Sequence, residues 1–238
     1  MKYLYSIYFW IIGSLLFLII LLFTITIGWI IKKETLYKII SKYFRFIFKA
    51  MLIKVETIYE KPIDINKAYI FMPNHISFID VLLAGAYIPV YVNAIEAHTH
   101  FKWFLYGWAI KRFGQIPIDR TKPRSSWKSF QIAIERLKQG RSIIVFPEGH
   151  RSGDGHLQPF KKIPFKFAKE ADADLIPMAF IGVEKLRKHK IWVKPHPIRI
   201  VFAEPITNQE IKKLSVEELH NKVREKITQM LNKYGFKK

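Results

Sequence analysis

The sequence predicts an α/β fold with a mainly parallel central sheet flanked by helices, preceded by an N-terminal membrane helix and a basic amphipathic helix. Short apolar runs alternate with helical patterns from residue 68 onward. Residues 3–31 carry no charged side chain, and residues 35–54 then place cations at helical spacing. Alternating strands and helices are typical of layered α/β folds, in which helices cross over between parallel strands.

The uncharged segment at residues 3–31 predicts a membrane helix. It is longer than the apolar core of a signal peptide, no small-residue cleavage site follows it, and about 20 residues suffice to cross a bilayer. Only Lys2 precedes the segment, whereas a run of cations follows it. These cations are Lys32, Lys33, Lys38, Lys42, Arg45, Lys49 and Lys54. By the positive-inside rule, we expect a membrane protein whose remaining chain lies on the cytoplasmic face.

The second segment, residues 35–54, predicts an amphipathic helix at the membrane interface. Lys38, Lys42, Arg45 and Lys49 are spaced so that they share one helical face. Such a face is attracted to an anionic leaflet by about 1 kcal/mol per cation. The alternative is a helix that packs on the core and exposes its basic face to water. The predicted division is a membrane anchor and interfacial helix at 1–54, followed by one folded domain at 55–238.

The remaining elements follow in order from a polar, proline-containing segment at residues 55–66. The predicted strands are 68–72, 90–94, 115–118, 142–146, 175–180, 191–194 and 198–203. The predicted helices are 77–88, 100–113, 125–138, 165–171 and 217–233.

Charge and composition limit the functions that are possible. The formal net charge is +20, which implies an anionic partner such as nucleic acid, an anionic membrane surface or a phosphorylated substrate. The 19 Phe and 11 Tyr favour membrane contact over nucleic acid. The chain has no cysteine, which excludes disulfides, thiolate nucleophiles and Cys-ligated metals. His98 and His100 are close in sequence, but we predict no metal site because no carboxylate cluster accompanies them.

A catalytic pair is predicted at the turn that follows the strand at 68–72. Ser77 and Asp80 have the spacing of a capping box, so His75 lies in the turn before the helix. Two residues five apart within one helix lie about 140° apart around its axis and do not meet, but a residue before the helix is free of that limit. Asp80 can then bind one ring nitrogen of His75 and leave the other as a base. The alternative is that Asp80 only caps the helix.

Two further stretches place polar groups where strands end. Arg120 follows the short strand at 115–118, where it can grip a phosphate or, alternatively, pair with Asp119 on the surface. The strand at 142–146 ends at Pro147 in a glycine-containing turn, and open α/β sheets bind ligands at such strand ends. The polar residues of this turn are Glu148, His150, Arg151 and Ser152, with Lys161 and Lys162 further on.

Four stretches together resemble the glycerolipid acyltransferase superfamily, and most of all the 1-acylglycerol-3-phosphate acyltransferases. They are Asn-His-x-Ser-x-x-Asp at 74–80, Gly-x-Ile-x-Ile-Asp-Arg at 114–120, Phe-Pro-Glu-Gly-x-Arg-Ser at 146–152, and the Ile-Pro strand at 176–177. The third is highly specific, and the resemblance covers about residues 68–180.

The resemblance implies transfer of an acyl chain from a thioester, either acyl-CoA or acyl-carrier protein, to the sn-2 hydroxyl of 1-acylglycerol 3-phosphate. The product would be phosphatidic acid, and no other cofactor, metal or nucleic acid is expected. By resemblance, His75 is the general base and Asp80 orients it. The acceptor phosphate would be bound by Arg120, Glu148, Gly149, Arg151 and Ser152, with support from Asn74, Ser77 and Lys161.

The sequence departs from the family pattern at three places. The family usually has a Lys near residues 97–100, which here read Ala-His-Thr-His, and this change leaves the acceptor head group open. His150 stands where Thr is common, and Ile163-Pro164 where a small pair is common. The alternatives are therefore an acyltransferase for another lysolipid or for glycerol 3-phosphate and, outside enzymes, a basic membrane-associated protein that binds nucleic acid or lipid.

Overall fold

A computed structural model describes residues 2–119, 121, 123–186 and 191–236. Its helices are α1 (Lys2–Ile25), α2 (Lys33–Ala50), α3 (Ile79–Tyr87), α4 (Tyr106–Phe113), α5 (Pro123–Lys138), α6 (Ile163–Glu170), α7 (Asn208–Lys213) and α8 (Val216–Tyr234). Its strands are β1 (Val55–Tyr59), β2 (Tyr69–Pro73), β3 (Val92–Ala97), β4 (Ile116–Ile118), β5 (Ser142–Ile144), β6 (Asp174–Ile181) and β7 (Ile198–Phe202).

These strands form one sheet in the order β1-β7-β6-β2-β5-β3-β4. The pairings are parallel except for β6 with β7, which confirms the predicted α/β fold with a mainly parallel sheet. β2 lies between β5 and β6, with Phe71 paired to Ile144 on one side and to Ile176 on the other. Because β2 and β5 are parallel, the turns that follow them meet at the same edge of the sheet.

The two faces of the sheet are both covered, which explains why β2 reads as a continuous apolar run. Phe71 points to the face that carries α1, α2 and α3, where it packs with Ile176 and Phe202. Ile70 and Met72 point to the opposite face, where α5, α6 and α8 contribute the other side of the core. Because successive side chains of a strand point to opposite faces of the sheet, the strand register determines which side chains at the strand ends face the helices that follow.

α1 is long and apolar enough over Tyr3–Ile25 to cross a membrane. It contacts the domain through a minority of its residues, among them the buried Phe9 and Ile20, while Leu4 and Ile11 are exposed. An apolar helix with most of its side chains left uncovered fits a membrane protein.

α2 packs on the core and presents its cations outward. It buries Leu36, Tyr37 and Ile40, and the four basic residues that share its predicted basic face are exposed. Tyr37 and Ser41 donate hydrogen bonds to the carbonyls of Ile88 and Ala86, each at 2.8 Å. These carbonyls belong to the C-terminal end of α3, where they have no partner within the helix, and the Ala86 carbonyl also accepts a hydrogen bond from Arg45 Nε at 2.7 Å. The structure therefore has the core-packing arrangement of the alternative interpretation, and its basic face is exposed, although Arg45 also contacts α3.

Three predicted elements are wrong. Residues 55–59, predicted to lie in the polar segment before the first strand, form β1, an edge strand that pairs with the sequence-distant β7. Residues 191–194 form no strand, because Val193 bonds the Ser6 hydroxyl of α1 and the Lys194 N–H bonds the Leu186 carbonyl. The predicted helix at 100–113 is interrupted: a 3₁₀ turn at 98–102 precedes α4, which begins only at Tyr106.

Candidate active site

Asn74 fixes the turn that follows β2. Its side-chain amide donates to the Phe180 carbonyl at 3.1 Å, and its side-chain oxygen accepts the Phe180 N–H at 2.8 Å. The side chain thus continues the ladder between β2 and β6 after Pro73, which has no N–H of its own to donate. Asn74 is buried, so its part in the site is to hold the turn rather than to contact a ligand.

His75 and Asp80 form the predicted hydrogen bond. The His75 Nδ1 lies 2.8 Å from Asp80 Oδ2, and the same oxygen accepts the N–H groups of Ile76 at 2.6 Å and Ser77 at 2.9 Å. Asp80 is fully buried in the first turn of α3. Burial raises its pKa, and the bonds from His75, Ser77 and Ile76 oppose that rise.

The predicted capping box at Ser77 is wrong. The N-cap position of α3 is Phe78, and the buried Ser77 hydroxyl has no hydrogen-bond partner. Asp80 does accept the Ser77 N–H, but the reciprocal bond is missing. The Asp80 carboxylate therefore bonds the backbone of the turn and the imidazole, and α3 begins without a side-chain cap.

The turn after β5 is joined to the His75 turn through Glu148. Its Oε1 accepts the His75 N–H at 2.7 Å and its Oε2 accepts the Gln158 N–H at 3.0 Å. The Ser152 N–H donates to the His75 carbonyl at 2.9 Å, and the His75 ring stacks on Phe146 with centroids 4.0 Å apart. Two motifs more than 60 residues apart thus form a single unit.

Glu148 is fully buried, with both oxygens on backbone donors. Burial raises its pKa to about 7, and the N–H groups of His75 and Gln158 oppose the rise. A side chain in this position braces the two turns and has no free oxygen directed to a phosphate.

The other predicted residues lie around this unit or outside the described part of the chain. Gly149 has φ of +75°, a conformation that favours glycine, and Arg151 is exposed at the site. The Ser152 hydroxyl accepts the Gly155 N–H, and the Lys161 N–H donates to the Pro147 carbonyl, so both stabilise the loop. Arg120 falls outside the described residues.

A cavity of about 630 Å³ opens beside the His75 ring. Its walls are mostly apolar and come from α1, α2, α3, β3 and α4; they include Phe17, Ile20, Leu21, Ile40, Phe44, Val81, Leu82, Ile110 and Phe113. Its polar lining includes His75, Glu96, His100, Tyr106, His150 and Arg151. The volume lies in the range of small-molecule sites, and the walls suit an apolar chain that ends at His75.

A second histidine–carboxylate pair, which sequence reasoning missed, lines the same cavity. The His100 Nδ1 lies 2.8 Å from Glu96 Oε1, and the Tyr106 hydroxyl donates to the same oxygen at 2.7 Å. Burial and the neighbouring Glu96 raise the pKa of Tyr106. The signal in the sequence was an acidic residue, Glu96, at the end of the apolar strand β3, four residues before His100. Within the described residues, no group of three or more His, Cys, Asp or Glu is arranged to hold a metal ion.

The fold and this site define a class of protein: an α/β protein in which the histidine of a histidine–carboxylate pair lines a mostly apolar cavity. The chain belongs to the Acyltransferase family, whose family model matches residues 31–181. The resemblance predicted from the four motifs is thereby confirmed.

Two relatives and one solved structure are similar to this chain. The chain is 30% identical over 158 residues to the chloroplastic 1-acyl-sn-glycerol-3-phosphate acyltransferase BAT2 of Brassica napus, covering 66% of this chain and 45% of that protein. It is 28% identical over 204 residues to the 1-acyl-sn-glycerol-3-phosphate acyltransferase of Saccharomyces cerevisiae, covering 83% and 67%. The chain therefore spans about half the length of the plant relative. The crystal structure of the 1-acyl-sn-glycerophosphate acyltransferase PlsC from Thermotoga maritima shares the fold, with a TM-score of 0.81, 23% identity and coverage of 98% and 95%.

Proposed function

We propose that this chain transfers a fatty acyl chain from a thioester donor, acyl-CoA or acyl-carrier protein, to the sn-2 hydroxyl of 1-acylglycerol 3-phosphate, giving phosphatidic acid. The observation that carries the proposal is His75, bonded to Asp80 at the end of an apolar cavity that Arg151 also lines. Family membership and the names of the relatives support it.

In the proposed mechanism His75 is the general base. Because Nδ1 faces Asp80, Nε2 is left to take the proton of the acceptor hydroxyl. The hydroxyl oxygen bonds to the thioester carbonyl carbon, the C–S bond breaks, and the proton passes from Nε2 to the departing thiolate. A positioned base of this kind contributes about 10²–10⁴-fold, and Asp80 stabilises the imidazolium that forms. No covalent enzyme intermediate and no cofactor are required.

We propose that arginine side chains bind the acceptor phosphate. Arg151 lines the cavity, and a guanidinium binds a phosphate through two parallel hydrogen bonds. Arg120, two residues beyond β4, is proposed as a second phosphate ligand. Gly149 and Ser152 shape the loop that presents Arg151, whereas we assign Glu148 a positioning role because both its oxygens hold backbone groups.

The acyl chain is proposed to occupy the apolar cavity, which α1 closes on one side. Residues 1–54 would anchor the protein, with the exposed basic face of α2 against an anionic leaflet and residues 55–238 on the cytoplasmic face. Protease added to the outside of sealed right-side-out cells is expected to spare the domain. Cleavage within 55–238 under these conditions would reverse the proposed orientation.

The activity is tested with membranes that carry the chain, labelled acyl-CoA or acyl-carrier protein, and a panel of acceptors. We expect labelled phosphatidic acid from 1-acylglycerol 3-phosphate and little product from glycerol 3-phosphate or lyso-ornithine lipid. Preference for another acceptor would support the proposed acyl transfer but would identify a different acceptor substrate. Salt-sensitive retention of nucleic acid without any acyl transfer would instead favour the non-enzymatic alternative.

A further inference from the structure

The second pair, Glu96–His100, has the features of a ligand contact rather than of a core interaction. Glu96 is buried, whereas the His100 side chain keeps 24% of its surface exposed and lines the same cavity as His75. The His100 ring also packs on Trp103, with centroids 4.4 Å apart. The Glu96 carboxylate and the Trp103 indole therefore hold the His100 imidazole in place, while part of the ring stays accessible.

The hydrogen bonds determine which atom of His100 is available. Glu96 Oε1 accepts from both the Tyr106 hydroxyl and His100, so Nδ1 of His100 is a donor and Nε2 is the free ring nitrogen. Glu96 Oε2 is buried without a hydrogen-bond partner and Oε1 already accepts two hydrogen bonds, so we infer that Glu96 acts on a ligand through the imidazole. In an imidazolium both ring nitrogens are donors, so a cationic His100 that bonds Glu96 through Nδ1 can donate to an anionic ligand from Nε2.

The position of the pair favours an anion as that ligand. Arg151 lies close enough to the cluster for its charge to oppose the burial and Glu96 effects that raise the pKa of Tyr106. Arg151, His100 and His75 all line the same cavity. In 1-acylglycerol 3-phosphate the phosphate lies only a few bonds from the sn-2 hydroxyl, so one cavity can hold both groups.

We propose that His100 is a specificity-determining residue that donates a hydrogen bond from Nε2 to the acceptor phosphate across from Arg151, and that Glu96 is the positioning residue that orients it. The proposal rests on the proposed function, because it names a further contact for the same acceptor. It assigns His100 to acceptor binding and His75 to proton transfer, although the two histidines have the same kind of partner.

The test is steady-state kinetics with 1-acylglycerol 3-phosphate for His100→Asn and for the matched control His98→Asn. The Asn amide keeps the bond to Glu96 at the place of Nδ1 but has no group at the place of Nε2. We expect the acceptor KM of His100→Asn to rise about 10- to 100-fold, the effect of one hydrogen bond to a charged group, with kcat and the donor KM unchanged. His98→Asn should match the parent protein, and His100→Lys should recover most of the acceptor affinity because it restores a cation.

Glu96 is tested through non-additivity. Glu96→Gln alone should raise the acceptor KM, and the same change in the His100→Asn background should add nothing, because Glu96 acts only through Nε2 of His100. Equal increases in both backgrounds, or parallel increases in donor and acceptor KM, would mean that the pair is only structural, and the inference would be wrong.

A readout without turnover separates this inference from the proposed function. In the ¹⁵N-histidine-labelled full chain, glycerol 3-phosphate should shift the Nε2 resonance of His100, and this shift should disappear in Arg151→Gln. Transfer to lysophosphatidic acid without any such shift would overturn the His100 contact and leave the activity standing. Absence of transfer by the parent protein would remove the activity and this inference together.

Discussion

Two histidines that line one cavity, His75 and His100, are each paired with a carboxylate oxygen 2.8 Å from Nδ1, yet the two pairs are built differently. Asp80 also accepts hydrogen bonds from two backbone N–H groups, so backbone groups hold the carboxylate of the His75 pair in place. Glu96 shares its oxygen with the Tyr106 hydroxyl, so the His100 pair is held by side chains alone. A pair held by backbone groups suits a step that needs one geometry, and a pair held by side chains suits a contact that varies among substrates.

The largest expected difference between the pairs is in turnover. His75→Ala should lower kcat by about 10²–10⁴-fold, because it removes the proposed base, whereas His100→Ala should leave kcat nearly unchanged at saturating acceptor. Single-turnover and steady-state assays with labelled donor measure both, and circular dichroism verifies the fold. An equal loss of kcat in the two variants would remove the division of roles.

The next difference is in stability. Asp80→Ala leaves the buried N–H groups of Ile76 and Ser77 without an acceptor, and we expect the free energy of unfolding to fall by about 3–5 kcal/mol. Glu96→Ala releases His100 and Tyr106, which water can reach, and should cost about 1–2 kcal/mol. Denaturant titration of the full chain in detergent compares the two. Similar losses would mean that the backbone bonds do not distinguish the pairs.

A pH effect is expected from Glu148, which braces the turn of the first pair. Its pKa is raised from 4.5 to about 7, so between these values the folded state keeps a proton that the unfolded chain has released. Stability should therefore fall as pH rises from about 4.5 to about 7, and this component should be absent in Glu148→Gln. Unfolding free energies of both proteins across this range are the measurement. Parallel curves would place the origin of the pH dependence elsewhere.

The smallest effect is expected at Ser77, which lies between the two partners of the first pair in sequence but contributes no side-chain bond. Its hydroxyl is buried without a partner, so Ser77→Ala should change stability by less than about 0.5 kcal/mol or increase it. Ser142→Ala is the matched reference, since the Ser142 hydroxyl accepts the Tyr69 N–H and its loss should cost about 1 kcal/mol. A larger loss at Ser77 would restore the capping role that the sequence predicted.

The same contrast explains what was predictable from the sequence. The bond between His75 and Asp80 is local and lies within one motif. The turn at residues 148–152 lies next to the His75 turn because the parallel strands before them end at the same edge of the sheet. The order of strands and helices likewise follows from their periodicity, because the apolar runs and helical faces are encoded over short windows.

The features that the sequence analysis missed depend on contacts between residues that lie in different elements of the fold. β1 is a strand because β7, more than 100 residues later, pairs with it. Glu96 lies within an apolar strand, and its role becomes visible only when the 3₁₀ turn and α4 bring His100 and Tyr106 onto one of its oxygens. The Ser77 prediction failed because the Asp80 N–H donates to the Ser77 carbonyl, which leaves the Ser77 hydroxyl without a partner.

The first helix has two tasks that cannot be separated. Phe17, Ile20, Leu21 and Thr24 of α1 form part of the cavity wall, on the same helix that carries the apolar surface left uncovered by the domain. Replacing α1 with an unrelated hydrophobic helix would keep a membrane-spanning segment but would leave the cavity open along one side. Removing α1 to obtain a protein without its apolar helix would, for the same reason, remove part of the wall of the cavity in which we propose that the acyl chain binds.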